Sequence, residues 1–274
     1  MLTDITIGQY FPGNSLLHKM DPRAKLILTF AYIVAVFVPR NWAGLSLAVA
    51  FLVMSVWLSH LPLKLIFKSL KPILPLIVFT SIINIFYVRD GLVLVDWWII
   101  HITLQGVVTA VFIAVRILCL IAGSSLLTYT TSPTALTDAL ERLMKPLKFL
   151  HVNVHELAMM MTIALRFIPT LIEETDKIMS AQKARGADLE SGGVMQRAKA
   201  LLPILIPLFV SAFRRADELA LAMECRCYHG GEGRTRMKQM KLHGRDLISG
   251  VATAAVFAGV ILLNKYVNLL PTIW

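Results

Sequence analysis

Charge is the scarce commodity in this chain. Asp, Glu, Lys and Arg supply 16% of its 274 residues, where a soluble domain carries about 25%. Hydrophobic residues reach 57% and the mean hydropathy is +0.69. This balance excludes a disordered chain and argues against a soluble enzyme. Cysteine is also rare: Cys119, Cys225 and Cys227 are too few and too unevenly spaced for a disulfide framework. They suit a polar region in a reducing cytosol. No stretch fits Gly-x4-Gly-Lys-Ser/Thr, so ATP binding through a phosphate loop is not expected. Gly230-Gly231-Glu232-Gly233 is followed by Arg234-Thr235 without a strand-loop-helix context. No Gly-x-Ser-x-Gly or His-Glu-x-x-His occurs. Residues 1–20 are mixed and polar, so no cleaved leader is expected.

Long apolar runs are abundant. Five stand out, at about Leu26–Val38, Trp42–Leu61, Pro72–Val88, Ile102–Leu127 and Leu247–Leu263. A spanning helix takes roughly 20 residues, and the first run is short by that measure unless it recruits residues before Leu26. Few charges interrupt the runs. The net charge of +10 therefore belongs outside the bilayer, since an ion at the bilayer centre is costly. Lys19, Arg23 and Lys25 precede the first run, and Lys64, Lys68 and Lys71 separate the second from the third. Arg40 alone follows Pro39, and Arg89 shares its loop with Asp90 and Asp96. Basic residues gather on the cytoplasmic side. The N-terminus and the segment between the fourth and fifth runs are therefore expected inside, and the C-terminus outside. Trp42, Trp57, Trp97, Trp98 and Trp274 fall near span ends, as interfacial anchors do. Arg116 breaks the fourth run. It either pairs with a partner or lines a path, or it faces a neighbouring helix or snorkels.

Residues 128–245 carry most of the charge, of both signs, yet stay rich in Leu, Ile, Met and Ala. That mixture predicts amphipathic helices. Ser132 and Pro133 suit the N-cap and first position of one helix, with Leu136, Leu140, Leu143 and Leu147 on a face and Pro146 limiting its end. A long helix is predicted from about Val154 to Arg185, bent at Pro169 and closed by Gly186. Another is predicted from about Val194, after Ser191-Gly192-Gly193, to Arg226, bent at Pro203 and Pro207. The two end alike, in Ala184-Arg185-Gly186 and Cys225-Arg226-Cys227. An arginine between small residues either caps its own helix or offers a planar fork of donors to a carboxylate on a closely approaching surface. Two such ends in one segment favour docking.

Cys225-x-Cys227-x-His229, with His243 beyond, is narrower than zinc spacings usually are. His151 and His155, next to Glu156, have metal-compatible i, i+4 spacing but sit at a helix start among apolar neighbours. No metal is assigned to either. The interspersed acidic residues speak against nucleic acid. Met159-Met160-Met161 reads as core filler or an adaptable surface.

Four stretches in series resemble one family, the transmembrane T components (EcfT) of energy-coupling factor (ECF) type ABC transporters. They are Ser15-Leu16-Leu17-His18-Lys19-Met20-Asp21-Pro22-Arg23-Ala24-Lys25-Leu26; Leu126-Leu127-Thr128-Tyr129-Thr130-Thr131-Ser132-Pro133; Leu165-Arg166-Phe167-Ile168-Pro169 followed by Ala184-Arg185-Gly186; and Arg226 with Gly230 to Thr235. The likeness spans nearly the whole chain. It implies an all-α membrane protein of about five transmembrane helices. A cytoplasmic coupling region of three amphipathic helices, two of them long and crossing, completes it. The expected division is 1–127 with four spans, 128–245 with the coupling helices, and 246–274 with the last span. The resemblance implies a non-catalytic subunit of a prokaryotic plasma-membrane importer of vitamins or other micronutrients. Two cytosolic ABC ATPases would bind ATP and Mg, and this chain would bind no cofactor. A membrane substrate-binding S component would be the third partner. Ala184, Arg185, Gly186, Cys225, Arg226 and Cys227 would dock the ATPases, although cysteines replace the alanine and glycine of the second motif. The alternatives are a conventional ABC-importer permease, an intramembrane enzyme and a secondary transporter. The first usually has one short coupling helix. The second lacks paired acidic, His or Cys groups in the spans. The third often shows two related halves.

Overall fold

The computed structural model describes residues 10–88, 92–97, 100–150, 153–187, 193–231 and 240–266. Arg89, Asp90, Trp98, His151, Ser191, Gly192, Glu232 to Thr235 and Trp274 fall outside these. The described chain is all-α apart from one hairpin. Its helices are α1 (Pro22–Phe37), α2 (Trp42–Ser59), α3 (Leu63–Leu70), α4 (Leu74–Tyr87), α5 (Leu104–Thr130), α6 (Pro133–Leu143), α7 (Val154–Ala184), α8 (Val194–Glu224) and α9 (Gly244–Tyr266). The strands β1 (Val93–Trp97) and β2 (Ile100–Thr103) pair antiparallel.

The chain forms two compact units, one of residues 8–139 with 240–274, the other of residues 1–7 with 140–239. In the first, α5 packs against α1, α2, α3 and α4, and α9 against α1 and α2. Small residues let these helices approach closely, as in membrane bundles generally. Tyr32 of α1 lies over Gly123 of α5, and Ala48 and Ala122 are buried beside it. One end of the bundle is tied by polar groups. Asp21 caps α1 by accepting from the Arg23 amide at 2.9 Å, and its other carboxylate oxygen holds the Arg23 guanidinium at 2.7 Å. Asp246 of α9 accepts from the Asp21 amide at 3.0 Å. The buried Lys25 ammonium donates to the Thr130 carbonyl at 2.9 Å and to Thr131 Oγ1 at 3.3 Å, closing the C-terminus of α5. The stretch leading into the first span and the stretch leaving the fourth thus meet at one lysine.

Several boundaries move. The first helix does recruit residues before Leu26, because Asp21 and Pro22 supply an N-cap and a proline at the first position. At 16 residues it still falls below the length at which composition marks a membrane span. Five helical stretches meet that measure: Trp42–Ser59, Leu63–Tyr87, Leu104–Thr130, Val154–Ala184 and Gly244–Tyr266. The Lys64, Lys68 and Lys71 segment is not a loop. It is the amphipathic helix α3, which continues through a 3-10 turn at Lys71–Ile73 into α4. Pro72 and Pro75 stand at tolerated first-turn positions, so they do not separate the two. Ile102 and Thr103 lie in β2 rather than α5. Thr103 caps α5 by accepting from the Gly106 amide at 3.1 Å, which fixes the helix start at Leu104.

In the second unit, α7 and α8 each have 31 residues and run unbroken through Pro169, and through Pro203 and Pro207. Ser132 caps α6 by accepting from the Ala135 amide at 3.3 Å. After Leu143 the chain forms a 3-10 segment, Lys145–Leu150, which holds Pro146.

Candidate docking site

The two arginine motifs have the same backbone. At the end of α7 the Gly186 amide donates to the Lys183 carbonyl and the Ala187 amide to the Gln182 carbonyl, both at 3.0 Å, with Gly186 at φ 85°. At the end of α8 the Cys227 amide donates to the Glu224 carbonyl at 2.8 Å and the Tyr228 amide to the Met223 carbonyl at 3.1 Å, with Cys227 at φ 53°. Both are Schellman caps, in which a left-handed residue turns the chain and satisfies the last carbonyls. Arg185 and Arg226 occupy the same position, one residue before the left-handed one. The capping is done by main-chain amides. Neither guanidinium has a hydrogen-bond or ion-pair partner among the described residues. All six motif residues are exposed. Both arginines are therefore available to another surface.

Their separation follows from how α7 and α8 pair. Glu174 of α7 accepts from Ser211 Oγ, and its other oxygen pairs with Arg215 Nη2 at 2.8 Å. Farther along α7, the Gln182 amide group donates to the Pro203 carbonyl at 3.3 Å. At the start of α7, His155 lies 3.5 Å from the Tyr228 hydroxyl and its ring packs on Gly231. Progress along α7 is thus regress along α8: the helices are antiparallel. Gln182, three residues before Arg185, contacts Pro203, and Arg226 lies 23 residues beyond Pro203, so the two turns are at least about 35 Å apart along the pair at about 1.5 Å per residue.

His155 is held by a carboxylate. Its Nδ1 lies 2.9 Å from Glu141 Oε1 of α6, and Glu156 instead accepts from the Asn153 side chain at 3.1 Å. Among the described residues, no three His, Cys, Asp or Glu side chains cluster as a metal site would need. The links at His155 and Glu174 escape sequence reading because each joins residues 14 to 73 positions apart.

Membrane-length apolar helices, with one hairpin as the only sheet among the described residues, define a multi-pass membrane protein, and its antiparallel pair ends in two matched exposed arginines. The profile of the cobalt transport protein family, CbiQ, matches residues 13–237. The chain is 55% identical over 268 residues to the "energy-coupling factor transporter transmembrane protein EcfT" of Ruminiclostridium cellulolyticum, covering 97% of this chain and 99% of that one. It is 52% identical to the protein of that name from Clostridium kluyveri, covering 97% and 98%, and 46% identical to that of Bacillus subtilis, covering 93% and 98%. The chain belongs to this family, the transmembrane T components of ECF transporters.

Proposed function

We propose that this chain couples ATP hydrolysis by two cytosolic ABC ATPases to movement of a membrane S component that carries a vitamin or other micronutrient. The chain itself is non-catalytic and holds no cofactor; ATP and Mg belong to the ATPases. Ala184-Arg185-Gly186 docks one ATPase and Cys225-Arg226-Cys227 the other. The α7–α8 pair and the N-terminus face the cytoplasm, as the basic residues around α1 and α3 suggest. The observation that carries this reading is the pair of matched arginine turns at opposite ends of α7 and α8. One turn would serve one partner; two turns at least about 35 Å apart suit two copies of similar shape. ATP-driven closure of the ATPases then moves the two ends of the pair relative to one another, and the S component on its apolar face follows.

The test is charge reversal in the full complex. Arg185→Glu and Arg226→Glu should each uncouple ATP hydrolysis from uptake or release an ATPase on affinity purification, because breaking a desolvated charge pair costs about 2–5 kcal/mol. Wild-type copurification together with wild-type uptake in both variants would sink the proposal.

A further inference from the structure

Arg116 is not explained by coupling. It sits near the middle of α5, and its Nη2 donates to the Pro39 carbonyl at 2.6 Å in the turn between α1 and α2. Its guanidinium lies 4.8 Å from the centre of the Phe112 ring. Its Nε is buried and has no hydrogen-bond partner. No carboxylate pairs with it among the described residues. A guanidinium so placed has a carbonyl and a ring face for company, but no countercharge, and that is unfavourable at low dielectric.

It lines a cleft of about 500 Å³ with Phe37, Val38, Pro39, Arg40 and Asn264. The lining contains two arginines and no acid. The Asn264 side chain is spent on holding the turn: it accepts from the Arg40 amide at 3.1 Å and donates to the Val38 carbonyl at 2.8 Å. The turn is thereby fastened to α9, and the exposed Arg40 side chain has no partner among the described residues. The cleft is within the size range of small-molecule sites, roughly 300–1,000 Å³.

Depth identifies the ligand. Lys25 and Thr130 are level with one another at one end of the bundle, and Pro39 and Arg116 are level farther up. Fourteen residues of α5 separate Arg116 from Thr130, about 21 Å of helix. The hydrocarbon core is about 30 Å thick, whereas α1 and α2, of 16 and 18 residues, are about 24 and 27 Å long, so headgroups are drawn inward at the turn that joins them. Water-borne anions are scarce at that depth, whereas lipid phosphates are carried there by their own tails. Arginine is the side chain best matched to phosphate oxygens.

We propose that this cleft is a phosphate-binding site, with Arg116 and Arg40 as its donors, and that its occupant is the headgroup of an anionic membrane lipid. The site supplies the countercharge that Arg116 lacks and fixes the α1–α2 turn in the bilayer.

The test uses the full-length chain in neutral detergent, stripped of lipid, with native mass spectrometry as the readout. Phosphatidylglycerol should be retained in preference to phosphatidylcholine. Arg116→Gln should weaken that retention roughly 10-fold, the loss of one charge-assisted hydrogen-bonded contact. Arg40→Gln should weaken it about 3-fold; because Arg40 is exposed, that variant leaves packing untouched. Arg116→Lys should recover part of the preference. Equal phosphatidylglycerol retention in wild type, Arg40→Gln and Arg116→Gln would overturn the proposal. So would inorganic phosphate binding at the same arginines with no preference between the two lipids, which would assign the site to a soluble anion.

Discussion

Tyr32 lies so close to Gly123 that a methyl group there would come within 2.5 Å of the ring. The α7–α8 pair has one approach as close, His155 against Gly231 at its end, but little buried interior along its length. Among its described side chains the buried ones are Val154, Ala158 and Ile204, while Phe209 and Phe213 are 60% and 68% exposed. The bundle around α5 also exposes apolar side chains, such as Phe30 and Phe79, but around a closed interior and a polar lock at one end. The pair has no comparable interior. Its two helices are held by Glu174 and Gln182 contacts, and its apolar faces are left to something else. Contiguous apolar surface of this extent marks contact with a membrane or another protein. The bundle therefore has a closed interior of its own, and on the proposed function the pair is covered by partners. Changes in the bundle should be felt in the stability of the isolated chain. Changes in the pair should be felt mainly in assembly.

The largest effect separating the two should come from Gly123→Leu. A side chain at that position collides with Tyr32 of a neighbouring helix, and the ring is itself fixed by Phe51 at 5.9 Å and by its hydroxyl's bond to the Ala48 carbonyl at 3.5 Å. Overpacking of this kind costs about 1–3 kcal/mol, occasionally more. In detergent the apparent Tm of the lone chain should fall by several degrees, roughly 3–8 °C. An equal substitution on the exposed face of α8, Phe209→Leu, should leave that Tm unchanged and weaken assembly instead. A large Tm loss from Phe209→Leu would erase the contrast.

Next is Lys25→Met. The methionine keeps the length of the aliphatic stem but removes the ammonium and its three bonds to His18, Thr130 and Thr131. The Thr130 carbonyl is then left buried without its donor, which costs about 1–3 kcal/mol. Thermal unfolding of the lone chain should register this, and Lys25→Arg should restore part of it. If Lys25→Met leaves the Tm unchanged, the lock is not what closes this end of the bundle.

The lock also shows what sequence reading reaches. Ser132, Pro133 and Gly186 announced their helix ends because capping is local: donor and acceptor lie within a few residues; Asp21 and Pro22 carry the same kind of signal, but the first apolar run reads from Leu26. The matched endings at Arg185 and Arg226 were legible for the same reason. The β1–β2 hairpin was not, because Arg89, Asp90 and Asp96 read as a loop between the third and fourth runs, with Ile102 already in the fourth. Nor was α3, whose lysines at three- and four-residue spacing serve a loop or an amphipathic helix equally well until Leu65, Ile66 and Tyr129 are seen together: the Tyr129 hydroxyl donates to the Leu65 carbonyl at 3.2 Å. The antiparallel register of α7 and α8 depends on contacts such as Glu174 with Arg215, 41 residues apart, and no local pattern encodes them.

The smallest effect tests whether the two arginine turns are equivalent. Gly186 takes its left-handed conformation without strain, whereas Cys227 takes it with a Cβ, which costs about 1–2 kcal/mol. Cys227→Gly removes that strain but loosens the unfolded chain by about 0.5–1 kcal/mol. The net gain should be about 0.5–1 kcal/mol, local to the turn. The Tyr228 amide, bonded to the Met223 carbonyl, reports it: its hydrogen exchange should slow about 2–5-fold. The reverse substitution, Gly186→Ala, meets no neighbouring atom within 4 Å, so backbone strain alone decides it, and exchange at Ala187 should quicken by a similar factor. ATPase copurification should survive Cys227→Gly, since Arg226 and a small left-handed neighbour are both kept. If Tyr228 exchanges faster in the variant, the cysteine is doing something at this turn that a glycine cannot, and the two helix ends differ in more than sequence.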